Sequence, residues 1–144
     1  PRNRELYLVR SGIRNMAEEN DRKMSRMPSI RMLAMPTDTN PSGDIFGGWL
    51  MSLMDIAGAN VGFQRAKGRI ATVAVDKIEF HRPVAVGDVV SCYADVIRVG
   101  RTSLTTKVEV YVSHRHGEEE IKVTEGEFTY VALDADGNKR PVDS

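Results

Sequence analysis

The sequence predicts an α+β domain in which one long buried helix is wrapped by an antiparallel sheet. Three observations carry this. Residues 45–63, IFGGWLMSLMDIAGANVGF, are the most apolar stretch of the chain and run too long for a strand. After Gly68 the apolar period changes to two and persists through four β-branched runs joined by short turns. A helix apolar on most sides must be covered on most sides, and tight turns join antiparallel neighbours. A twisted sheet curling around the helix meets both demands.

The chain opens with a polar stretch of mixed charge that holds no apolar run long enough for a secretory signal. Asn15-Met16-Ala17-Glu18 has the form of a helix start, a cap followed by Glu three residues on, and predicts a short helix to about Arg26. Met16-Ala17-Glu18-Glu19 also reads as a translation start, which would make residues 1–15 added or upstream sequence. Residues 1–28 are read as a polar N-terminal extension. Ser29–Met35, between Pro28 and Pro36, predicts a short strand. Residues 37–44, TDTNPSGD, are loop chemistry throughout.

The long helix is expected from about Phe46 to Ala66, ending at Lys67-Gly68 with Gly68 as the left-handed cap. Strands are expected at 70–80, 88–98, 102–114 and 119–133. The turns between them are marked by His81-Arg82-Pro83 with Gly87-Asp88, by Gly100, and by His116-Gly117. In the third of these strands Leu104, Val108, Val110 and Val112 take one face, and Thr105, Lys107, Glu109 and Tyr111 the other, the mark of a half-buried antiparallel strand. In the last, the phase slips between Ile121/Val123 and Phe128/Tyr130, and Gly126 between them predicts a bulge there.

Composition excludes several function classes. Twenty Lys and Arg balance twenty Asp and Glu, so the chain lacks the basic footprint of a nucleic-acid binder. Aromatic content of 6% argues against a base-stacking platform. The single cysteine, Cys92, cannot form an internal disulfide, which points to a reducing, cytoplasmic setting. The apolar segment is not expected to span a membrane. Asp55 stands at its middle, where a charge costs about 3 kcal/mol on insertion scales.

The sharpest local feature is Ser42-Gly43-Asp44-Ile45-Phe46-Gly47-Gly48-Trp49. Glycines at a helix entrance weaken the helix, so they imply a close approach to its backbone. Free N–H donors at a helix N-terminus can polarise a carbonyl oxygen as charge develops on it. Asp44 at that entrance is either a base or nucleophile, or simply the N-cap. Asp55, three turns further along, is a carboxylate in an apolar helix and is read as a structural group bound to backbone or to a partner subunit. His81, His114 and His116 lack the companions of a metal site. The turn Gly100-Arg101-Thr102-Ser103 offers Arg and hydroxyls to a phosphate.

The runs LAMPTDTN (33–40) and GDIFGGWLM (43–51), with Thr72-Val73-Ala74-Val75, PVAVGDVV (83–90), Val99-Gly100-Arg101-Thr102-Ser103 and Phe128-Thr129-Tyr130-Val131-Ala132, resemble the hotdog-fold acyl-CoA thioester hydrolases of the YciA type. The resemblance spans about Ser29–Pro141. It implies a five- to six-stranded antiparallel sheet around the helix, dimers with sites at the subunit interface, and hexamers built as trimers of dimers. It implies hydrolysis of acyl-CoA to free acid and CoA, with no cofactor or metal beyond the CoA of substrate and product. It places the catalytic carboxylate on Asp44, a positioning amide on Asn40, carbonyl-binding backbone on Gly47 and Gly48, and Thr72 at the site from the adjoining subunit. It places Gly100, Arg101, Thr102 and Ser103 near the CoA. The rival readings are an acyl-CoA-binding hotdog protein without catalysis, and a hotdog dehydratase using His81.

Overall fold

A computed structural model describes residues 26–114 and 119–143 of the chain. The expected helix from Asn15, the start at Met16 and the turn at His116-Gly117 lie wholly or largely outside the described residues. Strand β1 (Ile30–Leu33) is followed by a 3-10 turn (Pro36–Asp38), helix α1 (Gly47–Ala66), and strands β2 (Ile70–Phe80), β3 (Val89–Val99), β4 (Ser103–Ser113) and β5 (Ile121–Ala132). The strands form one antiparallel sheet in the order β1-β3-β4-β5-β2. No helix among the described residues is long and apolar enough to cross a membrane.

Helix α1 lies across one face of the sheet. Leu50, Leu53, Met54, Ala57, Gly58, Gly62 and Ala66 are its buried residues, a stripe at three- and four-residue spacing. They pack on Val90, Cys92, Leu104, Val108, Val110, Phe128 and Tyr130 of the sheet. Burial pushes the Cys92 thiol up to about 12, so it behaves as a small apolar side chain. The helix can sit this close because Gly58 has no side chain: a Cβ there would stand 2.5 Å from the Tyr130 hydroxyl.

Three expectations are corrected. The sheet of one chain covers one side of α1 only. Ile56 and Phe63 on its other sides are 55% and 54% exposed. The left-handed residue at the helix end is Lys67, with φ 54°, and not Gly68. Gly68 serves a different need: the Arg140 guanidinium packs against it while donating 2.8 Å to the carbonyl of Ala66, a helix-end carbonyl otherwise without an intrahelical partner. The bulge in β5 falls at Val123 and not at Gly126. Val110 pairs with Thr124 and Tyr111 with Lys122, leaving Val123 as the extra residue. Gly126 stays in register opposite Val108, and its missing Cβ admits Ile78 and Met54.

Edge strand β2 is irregular. It slips register at Val73 and again between Asp76 and Glu79, where Lys77 takes a left-handed φ of 54°. Its residues are mostly exposed, Val73, Val75 and Phe80 among them.

Candidate active site

The loop before α1 is closed on itself by Asn40. Its Oδ1 accepts the N–H groups of Ser42 (2.9 Å) and Asp44 (3.1 Å), and its backbone N–H and C=O bond Asp44 O and Gly43 N. Gly43, at φ 89°, supplies the left-handed turn this closure needs. The Asn40 side chain is thus engaged in shaping the loop. Asp44 is exposed, and its carboxylate has no hydrogen-bond partner among the described residues. It does not cap the helix: the N-cap is Phe46, which offers no side-chain acceptor. The amides of Gly47 and Gly48 therefore point out of the helix end without a partner among the described residues. A Cβ at Gly48 would meet nothing within 4 Å, and at Gly47 only the Phe80 ring, 3.5 Å away. Among the described residues the entrance is open, with the far end of β2 seated beside it.

A second cluster forms about 12 Å along the helix axis, eight residues at 1.5 Å each. Asp55 is half-buried. Its Oδ1 accepts from Thr72 Oγ1 at 2.8 Å and from the Tyr130 hydroxyl at 3.1 Å, while Oδ2 has no partner among the described residues. A carboxylate oriented by two hydroxyls through one oxygen, with its other oxygen left open, is equipped to take a proton. The turn Gly100–Ser103 lies at this same end of the sheet. Ser103 pairs with Val131, which pairs in turn with Ala71 beside Thr72. Gly100 N–H donates to Ser103 O at 2.7 Å and Thr102 O accepts from Ala132 N–H at 2.9 Å, so the turn is built by its backbone. Arg101 is exposed at its tip.

One chain therefore holds the expected residues in two groups. Asn40, Asp44, Gly47 and Gly48 stand at the helix entrance. Thr72 and Tyr130 stand with Asp55 near the middle of a helix about 30 Å long, and the Gly100–Ser103 turn lies at the Thr72 end of the sheet. Sequence reasoning read Asp55 as a structural group bound to backbone or a partner subunit and did not single out Tyr130. The signal for Asp55 was present, a lone carboxylate inside an apolar helix beside Ala57-Gly58-Ala59. Nothing local marked Tyr130.

Of the histidines, His114 Nδ1 lies 2.8 Å from buried Asp88, at the end of β4. The His81 ring turns to the outer face of the sheet, 3.8 Å from Glu79 and 3.6 Å from Glu125. These three groups are close enough to share a cation, but Glu125 is already held by Lys122 and Lys107.

Comparison with known proteins places the chain in a family. The sequence profile of the Thioesterase superfamily matches residues 42–118. An uncharacterized acyl-CoA thioester hydrolase of Haemophilus influenzae is 46% identical over 131 residues, covering 89% of this chain and 85% of the relative. The acyl-CoA thioester hydrolase YciA of Escherichia coli is 52% identical over 114 residues, 77% of this chain and 86% of the relative. Among solved structures, the hexameric thioesterase of Yersinia pestis is 51% identical with a TM-score of 0.78, over 83% of this chain and 97% of its own. A hexameric hotdog-fold thioesterase of Campylobacter jejuni is 42% identical with a TM-score of 0.75, over 80% and 89%. The single helix laid on a five-stranded antiparallel sheet is the hotdog arrangement, and the chain belongs to the thioesterase superfamily.

Proposed function

We propose that this protein hydrolyses acyl-CoA thioesters to a free carboxylic acid and CoA, at sites completed between two copies of the chain. The observation that carries the reading is the Asp55 carboxylate, held on Oδ1 by Thr72 and Tyr130 and open at Oδ2. The names of the relatives supply the substrate class.

The split of the site within one chain supports the interface. Edge strand β2 runs from Thr72, beside Asp55, to Phe80, beside Gly47. Edge strands seek a partner, and the commonest assembly is a two-fold dimer. Two β2 strands paired antiparallel about their midpoints set the Thr72–Asp55 end of one subunit opposite the Gly47–Gly48 end of the other. Such pairing covers exposed Val73, Val75 and Ile56. It also carries the Gly100–Ser103 turn toward the partner's helix entrance, where Arg101 and Ser103 can bind CoA phosphates. The hexameric relatives support three such dimers in the full assembly.

In this arrangement the thioester carbonyl rests on the N–H groups of Gly47 and Gly48. Asp55 Oδ2 takes a proton from water as the water oxygen attacks the carbonyl carbon. The oxyanion that forms is stabilised by the helix-end amides. Its collapse breaks the C–S bond, and the CoA thiolate leaves and takes up the proton. No resident cofactor is required. Asp44 is the second reading for the carboxylate, because it stands exposed at the same entrance.

Release of free CoA thiol from several acyl-CoAs tests the activity, and paired variants assign the base. In Asp55→Asn the amide oxygen still accepts from Thr72 and Tyr130, but the group cannot take a proton. Its kcat should fall about 10²–10⁴-fold, the usual worth of general base catalysis. Asp44→Asn should retain most activity. The reverse pattern moves the base to Asp44. Binding of acyl-CoA without thiol release by the assembled wild-type protein overturns the hydrolase reading in favour of a binding protein.

A further inference from the structure

Tyr130 is fully buried at the middle of the β4–β5–β2 pairing, opposite Leu104 and Thr72. Its hydroxyl lies 3.0 Å from the Asp55 backbone oxygen and 3.1 Å from Asp55 Oδ1. One proton is thereby shared between two acceptors of the same residue. A donor placed between a residue's carbonyl and its own carboxylate restricts rotation about χ1. Thr72 then clamps the same oxygen from the other strand.

The packing is arranged for this contact. A Cβ at position 58 would stand 2.5 Å from the Tyr130 hydroxyl and 2.7 Å from Thr106 Oγ1, so only glycine lets the hydroxyl reach the helix. A phenylalanine ring would fill the same apolar space, and a buried hydroxyl is costly unless it is bonded. Burial, followed by the nearby Asp55 charge, pushes the phenol above its ordinary range, so it stays protonated and acts as a donor. Thr106, alongside, is also fully buried, and its Oγ1 has no hydrogen-bond partner among the described residues.

We infer that Tyr130 is a positioning residue for the hydrolysis: its hydroxyl locks the Asp55 side chain so that Oδ2 faces the attacking water. This rests on Asp55 being the base. Tyr130 is fully buried and its hydroxyl acts through Asp55, so its effect falls on the chemical step and leaves substrate binding alone.

The test uses the full-length assembled protein, an acyl-CoA that it hydrolyses, and the variants Tyr130→Phe, Thr106→Val and Asp55→Asn. Tyr130→Phe should lower kcat about tenfold with KM within about twofold of wild type, the signature of lost transition-state support. Thr106→Val also removes a buried hydroxyl but leaves the Tyr130–Asp55 bond, and its kcat should match wild type. A crystal structure of Tyr130→Phe should show the Asp55 χ1 changed or divided between rotamers. An undiminished kcat in Tyr130→Phe beside an inactive Asp55→Asn overturns the inference alone. Equal losses in Tyr130→Phe and Thr106→Val that follow lowered melting temperatures also overturn it, in favour of a packing role. Full activity in Asp55→Asn overturns the reading beneath it.

Discussion

Lys122 Nζ lies 2.5 Å from Glu125 Oε2, although the two residues are three apart on one strand. Side chains three apart in a regular strand point to opposite faces. The extra residue at Val123 reverses the alternation between them, so both emerge on the outer face of the sheet. There Glu125 also meets Lys107 at 3.8 Å and His81 at 3.6 Å, and Lys122 reaches Glu109 at 3.6 Å.

This cluster gives a pH dependence of stability. The hydrogen bond from Lys122 holds the Glu125 carboxyl below its ordinary range; the charges of Lys122 and Lys107 add to it, and partial burial opposes it. A depressed carboxylate stabilises the fold above its unfolded pKa of about 4.3 and loses that contribution as pH falls through its folded value. Melting curves of wild type and Glu125→Gln should therefore differ most above about pH 5 and converge in acid. A gap that widens as pH falls would contradict the ion-pair account.

Gly126 is set by packing. A Cβ there would stand 2.8 Å from Ile78 Cγ1 and 3.3 Å from Met54 Cε, between β2 and the helix. Gly126→Ala should destabilise the protein by about 1–3 kcal/mol, the range for overfilling a packed core. Chemical denaturation measures this directly, and an unchanged midpoint would mean that Ile78 yields freely.

Val73 tests the proposed pairing of β2 with its copy. It is 56% exposed in the single chain. An aspartate there costs little in an isolated chain, but it places like charges near the two-fold axis of a β2–β2 pair. Light scattering should show Val73→Asp shifted to smaller species at micromolar concentration, with circular dichroism near wild type. An unaltered assembly places the interface elsewhere.

Arg101→Ala should raise KM for acyl-CoA more than it lowers kcat. A phosphate contact acts in ground and transition states alike, which is uniform binding. The difference from wild type should narrow at high salt, as screening weakens the contact. An unchanged KM would leave Arg101 as the tip of a surface turn.

Period and punctuation along the chain were enough for the helix, whose observed span Gly47–Ala66 begins one residue after its expected start. They were enough for the four long strands, and for the inward face of β4 at Leu104, Val108, Val110 and Val112, all buried. These are local properties: an element three or more turns long repeats its signal many times. A single event does not repeat. The phase slip in β5 was visible, but its residue was not, because Val123 and Thr124 are both buried and either side of the slip reads as strand.

The coverage of the helix was a global question with a local-looking answer. Its apolar faces outnumber what one sheet can cover, and the surplus at Ile56 and Phe63 is intelligible only once the sheet is seen to take one side. The candidate site divides in the same way. The open amides at Gly47 and Gly48 were legible as glycines at a helix entrance. The setting of Asp55 was not, because its partners lie 17 and 75 residues away in sequence. Those contacts depend on the register of β2 against β5 and on the close approach of the helix at Gly58. Neither is encoded by any one segment, so only the tertiary structure decided that the carboxylate in the apolar helix is bonded by a threonine and a tyrosine.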